Sequence, residues 1–190
     1  MINLFVAYLR ERFRPKVFGA AAVVLGAAAL WAASASPALA SVIVAVGLAV
    51  VLLLQFRLWD DLEDLERDRV VHPHRVLVRS DSGPFRFACV ALGATNIVFV
   101  GVVESLAAVG LVGLDLFFWL AYRTLRRRLS DRVWRFQVLL IKYPLFVGLL
   151  AAALGSPVSW RVLAASGAIY VCACAYETLH DRQLPLGAIS

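Results

Sequence analysis

Residues 38–77 read ALASVIVAVGLAVVLLLQFRLWDDLEDLERDRVVHPHRVL: an apolar run from Ala38 to Phe56 that passes directly into Arg57-Leu58-Trp59-Asp60-Asp61-Leu62-Glu63-Asp64-Leu65-Glu66-Arg67-Asp68. The run has the ~20 residues that a helix needs to cross a hydrocarbon layer ~30 Å thick. Acids begin where it ends, so the stretch predicts a membrane helix continuing into an acidic helical segment, with Pro73 as the stop.

Five further runs have the same character: Val17 to Ala35, Phe87 to Val103, Leu106 to Tyr122, Phe136 to Leu154 and, shorter, Val162 to Tyr176. Of the 190 residues, 62% are apolar and 17% charged, against ~45–50% and ~25% in soluble chains. Too few charged groups remain to cover a water-exposed surface. The expected fold is therefore all-α, a polytopic membrane helix bundle of six spans forming one domain over residues 1–190. It comprises an interfacial segment at 1–16, an acidic connection at 57–86 and a basic connection at 123–135.

Lys and Arg fall on alternate connections. Arg10, Arg12, Arg14 and Lys16 precede the first span; six arginines from Arg57 to Arg86 lie between the second and third; and six from Arg123 to Arg135 lie between the fourth and fifth. The other connections hold only Arg161. The positive-inside rule then predicts an integral membrane protein, in the cell inner membrane, with both termini cytoplasmic. Basic loops beside an anionic leaflet account for the net charge of +6 without a nucleic-acid partner. Membrane lipid is the expected surrounding. Leu4, Phe5, Tyr8 and Leu9 suit a surface-lying segment with bases at the headgroups. Ala38-Leu39-Ala40 resembles a signal-peptide cleavage site, but the long lead and long run favour a retained first helix. Cys89, Cys172 and Cys174 read as small core residues.

Within the acidic stretch, Asp61, Asp64 and Asp68 are spaced i, i+3 and i+7, and Asp60 is one turn from Asp64, so a continuing helix gathers carboxylates on one side. Like charges so placed repel, and a cation relieves them. Mg²⁺ takes oxygen ligands, few of them carboxylates, and fills its shell with water and phosphate oxygens. The plainer alternative is a solvated helix neutralised by Arg67, Arg69 and Arg75.

The stretch resembles the first Asp-rich motif of the UbiA superfamily of intramembrane prenyltransferases, written Asn-Asp-x-x-Asp-x-x-x-Asp and followed by an Arg-Pro-Leu-like element. Asp60 stands at the Asn position, Asp61, Asp64 and Asp68 at the acids, and Arg75-Val76-Leu77 at the following element, with Val76 replacing Pro. Gly83 falls where a glycine opens the next helix, and Arg14-Pro15 is similar to the family's start. Glu177-Thr178-Leu179-His180-Asp181 resembles the second motif, Asp-x-x-x-Asp, with Glu in the first place. The family usually has about nine spans of about 20 residues, whereas six are read here, and the missing helices ordinarily help enclose the prenyl chamber. A chain with six spans is open to use of a partner copy, hence a homo-oligomer, to a smaller substrate, or to loss of catalysis.

The resemblance implies a transferase that moves an isoprenoid chain from a prenyl diphosphate to an aromatic or other lipophilic acceptor. It places Asp60, Asp61, Asp64, Asp68, Glu177 and Asp181 around Mg²⁺, with Arg75 and Lys142 toward the diphosphate. Lys142 is also shallow enough to snorkel. Asp115 and Asn96 lie deeper; Asp115 reads as lining a cavity, and Asn96 as joining helices. A different class stays open: a non-catalytic protein binding an isoprenoid diphosphate, or a subunit of a lipid-modifying complex. A CDP-alcohol phosphotransferase would need Gly where Leu65 stands.

Overall fold

The computed structural model describes residues 2–33, 38–126, 128–130, 133–156 and 158–183, the side chains of Arg135 and of residues 180–183 apart. It is all-helical, with no strand among the described residues. Six helices are long and apolar enough to cross a membrane, as the runs in the sequence predict.

A short helix α1, Ile2–Arg12, precedes the first span, α2, Pro15–Ala32, which Pro15 opens at a position where its missing N–H costs nothing. The second span is α3, Leu39–Glu63. Its 25 residues at ~1.5 Å each make roughly 37 Å, so its last turns project beyond a ~30 Å apolar layer. The acidic connection is structured throughout: α4, Leu65–Val71, follows after the single residue Asp64, and α5, Val76–Arg79, follows the Pro73 turn. The third and fourth spans are α6, Gly83–Val103, and α7, Ser105–Thr124. Glu104 separates them, its carboxylate capping α7 by accepting from Leu106 N–H at 3.2 Å.

The fifth span is interrupted. It begins as a π-helix, Trp134–Leu139, and resumes as α8, Lys142–Ala153. Pro144 has no N–H for the carbonyl of Leu140 and its ring crowds that group, so the regular ladder cannot run through residues 140–141. The sixth span, α9, Trp160–Gln183, lies alongside and holds two of this span's carbonyls: Tyr170 Oη donates to that of Phe136 at 2.8 Å and Ser166 Oγ to that of Pro144 at 3.0 Å. After α8, Gly155 takes φ +76°, letting Ser156 N–H reach back to the Ala151 carbonyl at 3.0 Å in a Schellman closure.

Helix α3 packs against α2, α6 and α8; α7 bridges α6 and α8, α8 also meets α2, and α9 lies outside on α2 and α8. Small residues set the closest approach. Ala22, Gly26 and Ala29 of α2 and Ala45 and Ala49 of α3 are all buried, and a Cβ on Gly26 would stand 2.9 Å from a Val46 methyl and 3.5 Å from the Ala45 backbone. Where α3, α7 and α8 converge, Phe56 meets Phe118 at 5.4 Å and Phe146 at 5.1 Å, both edge-on.

Two sequence readings change. The apolar side of α1 meets protein: Tyr8 is buried with Leu58, Leu65, Leu77 and Phe85, and Leu4, Phe5 and Leu9 pack on that cluster. Its phenol needs a buried acceptor, which the end of α3 supplies. Cys172 is exposed on α9 instead of lying in the core, while Cys89 and Cys174 are half-buried; α9 touches its neighbours along one side only.

Candidate functional site

At ~100° per residue, Asp61 and Asp68 share one direction and Asp60 and Asp64 another, roughly 60–80° away. The structure keeps this division, and each direction meets different elements.

Asp61 and Asp68 face α1 and α5. Asp61 accepts from Tyr8 Oη at 2.9 Å, from Arg12 Nε at 2.9 Å and from Arg12 Nη2 at 2.5 Å, with Arg57 Nη2 3.2 Å away. Asp68 pairs with Arg75. Glu11 accepts from Val76 N–H at 2.9 Å, which fastens α1 to the start of α5. Burial, reinforced by the Asp61 carboxylate, pushes the Tyr8 phenol far above its ordinary pKa. Burial acts against the charge on Arg12, yet the bonds to Asp61 hold its pKa above the ordinary value. A polar cavity of about 10 Å³ lies among these groups, room for about one water molecule.

Asp60 and Asp64 face α7 and α8. Tyr122, near the end of α7, donates to Asp60 Oδ1, and Lys142, the first residue of α8, donates to Oδ2. Lys142 is buried, so it acts as an internal counterion to Asp60 and does not snorkel. Arg126 donates to Asp64 at 2.9 Å and lies over the Trp134 ring, 5.5 Å from its centre. Burial raises the Asp64 carboxyl above the ordinary range, Asp60 and Asp68 adding to this and Arg126 and Arg67 opposing it. Trp59 stacks on Tyr122 at 6.3 Å.

Every aspartate of the motif thus holds a cation, and no group of three or more His, Cys, Asp or Glu is arranged to hold a metal among the described residues. Among the described residues one buried donor is left over: Arg57 Nε has no acceptor. Arg57 stands one turn before Asp61, between the two directions.

Among the described side chains, the second acidic motif does not meet the first. Glu177 is half-buried on α9, which packs on α2 and α8, and it makes no hydrogen bond or ion pair with the aspartates of α3. The side chain of Asp181 lies outside the described residues.

Deeper in the bundle, Asn96 Nδ2 donates to Gln55 Oε1 at 2.7 Å and Gln55 Nε2 to Asp115 Oδ1 at 3.0 Å. Both amide side chains are buried. Asn96 therefore does join helices, and Asp115 both accepts from the relay and lines a groove of about 370 Å³ on the outer apolar surface. An acid at such depth costs about 2.5–3.5 kcal/mol on insertion scales, which one hydrogen bond offsets in part.

Sequence reasoning placed Tyr8 at the membrane surface, missed Tyr122 and Gln55, and counted Arg12, Arg57 and Arg126 only as topology signals. Gln55 carried a usable signal, as a polar residue inside an apolar run.

Comparison with protein-family models, with curated proteins and with solved structures finds no match. Fold and site together define an integral membrane helix bundle with an acidic cluster, neutralised by cations from four other segments, at the end of its second span.

Proposed function

We propose that the protein binds a prenyl diphosphate with Mg²⁺ at the acidic end of α3 and transfers the prenyl group to a lipophilic or aromatic acceptor, as the UbiA-like reading of the motif implies. The observation that carries this is the arrangement of charge. Asp60, Asp61, Asp64 and Asp68 alternate with Arg12, Arg57, Arg75, Arg126 and Lys142 at the boundary between apolar and polar layers. A ligand with an anionic head and an apolar tail suits that boundary. Arginine distribution supports both termini being cytoplasmic in a cell inner membrane.

The donor type suits Mg²⁺, since all four candidates offer carboxylate oxygens, which would have to draw together on binding because no three acids converge among the described residues. Asp60 and Asp64 would hold it, Asp64 being the most exposed of the four, with Asp68 near; Asp61 is saturated by Tyr8 and Arg12 and anchors α1. Glu177 and Asp181 belong to this reading only through the resemblance. When bound, the metal supplies charge neutralisation to the departing diphosphate. Lys142 and Arg126, turning from their aspartates, and Arg57 through its unpaired Nε, donate to phosphate oxygens. As the C–O bond ionises, the electron pair leaves with diphosphate and an allylic cation remains, which the ring faces of Trp59 and Tyr122, beside Asp60, would stabilise. The acceptor's nucleophilic atom then bonds to that carbon, and its proton passes to the departed diphosphate.

The test is Mg²⁺-dependent binding of geranyl and longer prenyl diphosphates to the purified protein, followed by diphosphate release with phenolic acceptors. Binding and release are expected. Binding without release favours the non-catalytic reading, and absence of binding removes both.

A further inference from the structure

We infer that the outer groove along α3, α6 and α7 binds a zwitterionic aminophospholipid, with an acyl chain between its walls, the phosphate on Arg123 and the ammonium on Glu63. Trp59, Ile97, Val112, Asp115, Leu116 and Trp119 line about 370 Å³, within the range of small-molecule sites. From Val112 to Trp119 the groove follows α7 for about 10 Å. Its one polar lining group, Asp115, already accepts from Gln55. The walls therefore suit a lipid chain, and the mouth decides which lipid.

The mouth is built alike on two sides. On α3, Trp59 lines the groove and donates through Nε1 to Glu63 at 3.3 Å, one turn nearer the helix end. On α7, Trp119 lines the groove, and Arg123, again one turn nearer the helix end, lies over its ring, 4.4 Å from the centre. Trp59 also stacks on Tyr122 at 6.3 Å, which brings the two helix ends side by side. Each indole thus carries one charged side chain toward the polar layer, an anion on one side and a cation on the other. Both are exposed, and neither has an ion-pair partner among the described residues. A guanidinium lying on an indole keeps its N–H edge for a phosphate. An anionic headgroup would gain Arg123 but be repelled by Glu63, whereas a headgroup of both signs satisfies the two together. A primary ammonium donates hydrogen bonds to a carboxylate and a quaternary choline cannot, so the mouth favours ethanolamine. The inference goes beyond the prenyl-transfer reading and does not rest on it, because neither Mg²⁺ nor diphosphate takes part.

The experiment uses the full chain carrying Trp31→Phe and Trp160→Phe, which removes the indole pair at the other end of the bundle and leaves Trp59, Trp119 and the buried Trp134 as reporters. It is placed in phosphatidylcholine nanodiscs without Mg²⁺. Lipids brominated on their acyl chains replace a rising fraction of the bilayer while tryptophan fluorescence is followed. Brominated phosphatidylethanolamine is expected to bind about three- to fivefold more strongly than brominated phosphatidylcholine, as one exposed ion pair allows. Brominated phosphatidylglycerol should bind no more strongly than phosphatidylcholine. Glu63→Gln should abolish the ethanolamine preference, and Arg123→Gln should weaken both zwitterionic lipids against a brominated diacylglycerol, which carries neither charge. Equal binding of ethanolamine and choline lipids to the reporter chain overturns the inference whatever the variants do. So does a preference for phosphatidylglycerol, the mark of an anionic shell drawn by the basic connections, or an ethanolamine preference that survives Glu63→Gln. The same preference read by Trp31 and Trp160, in a chain carrying Trp59→Phe and Trp119→Phe instead, overturns it too, since it would not belong to this groove.

Discussion

The Asp60–Lys142 pair gives the sharpest test of the packing. Their side chains are 15% and 7% exposed, so neither charge has much water to fall back on. Removing one partner of a buried pair costs about 3–5 kcal/mol, because the other charge stays desolvated. Asp60→Asn keeps one carbonyl oxygen for Tyr122 or Lys142, which places its expected cost near the lower limit, about 3 kcal/mol. At 2–4 °C per kcal/mol for a chain of this size, the melting temperature falls by about 6–12 °C. Lys142→Met leaves Asp60 with the Tyr122 hydroxyl and should cost about 2 kcal/mol.

In the double variant Asp60→Asn/Lys142→Met no charge remains to be orphaned. Its cost should be about 2 kcal/mol, well short of the sum of the singles, so the cycle yields a coupling of about 3 kcal/mol. Thermal unfolding in mild detergent measures all four proteins, and raising salt to about 0.5 M should leave the coupling nearly unchanged, as screening reaches a buried pair poorly. Additivity within about 0.5 kcal/mol would refute the reasoning. An Asp60→Asn protein as stable as the wild type would do so as well, since Lys142 would then have water or headgroups to reach.

Three other outcomes follow from single contacts. The folded Asp64 carboxyl keeps its proton to higher pH than the unfolded one, so the native state binds more protons just above the ordinary Asp range and stability falls as pH rises through the folded pKa. Asp64→Asn should therefore melt higher than wild type at pH 7, with the difference disappearing below about pH 4, while Mg²⁺-dependent diphosphate binding is lost; a lower melting temperature at pH 7 would contradict the assignment. Gly26→Ala puts a Cβ 2.9 Å from a Val46 methyl and 3.3 Å from its backbone nitrogen and should cost about 1–3 kcal/mol by overpacking, read by thermal unfolding. Asn96→Leu leaves Gln55 Oε1 unpaired and should cost about 0.6–1.7 kcal/mol, the range for hydrogen bonds between membrane helices, whereas no loss would show that the relay carries no stability.

The six spans were legible because a hydrocarbon layer imposes one requirement on every residue that crosses it. The run expected at Phe87 to Val103 is the helix Gly83–Val103, and the error lies at the end where the chain leaves that layer. Which helix lies against which was not legible, since lipid and protein interior are equally apolar and the periodicity that marks a soluble core is absent. The acids were legible as a cluster, but their partners were not: Arg12, Arg126 and Lys142 lie 49, 62 and 82 residues from the aspartates they hold. The break before Lys142 was readable from Pro144, whereas the π-helical turn ahead of it, whose Phe136 carbonyl accepts from Tyr170, has no signal in a one-dimensional pattern.

The pairing of each aspartate bears directly on the proposed ligand. Asp60, Asp61, Asp64 and Asp68, with Glu11 beside Arg12, balance Arg12, Arg57, Arg75, Arg126 and Lys142. A bare divalent cation would have to displace arginines that would then face a more positive surrounding, and a bare diphosphate would meet carboxylates still in place. A diphosphate carrying magnesium brings both signs at once and a net negative charge, so carboxylates can pass to the metal while the released cations pass to phosphate oxygens. Neither set is left desolvated and alone during the exchange, which is the condition that makes charge burial tolerable. On this account, binding of metal and of diphosphate is cooperative. Each should raise the other's affinity by the same factor, and in Asp64→Asn the diphosphate affinity measured without metal should change far less than that measured with it.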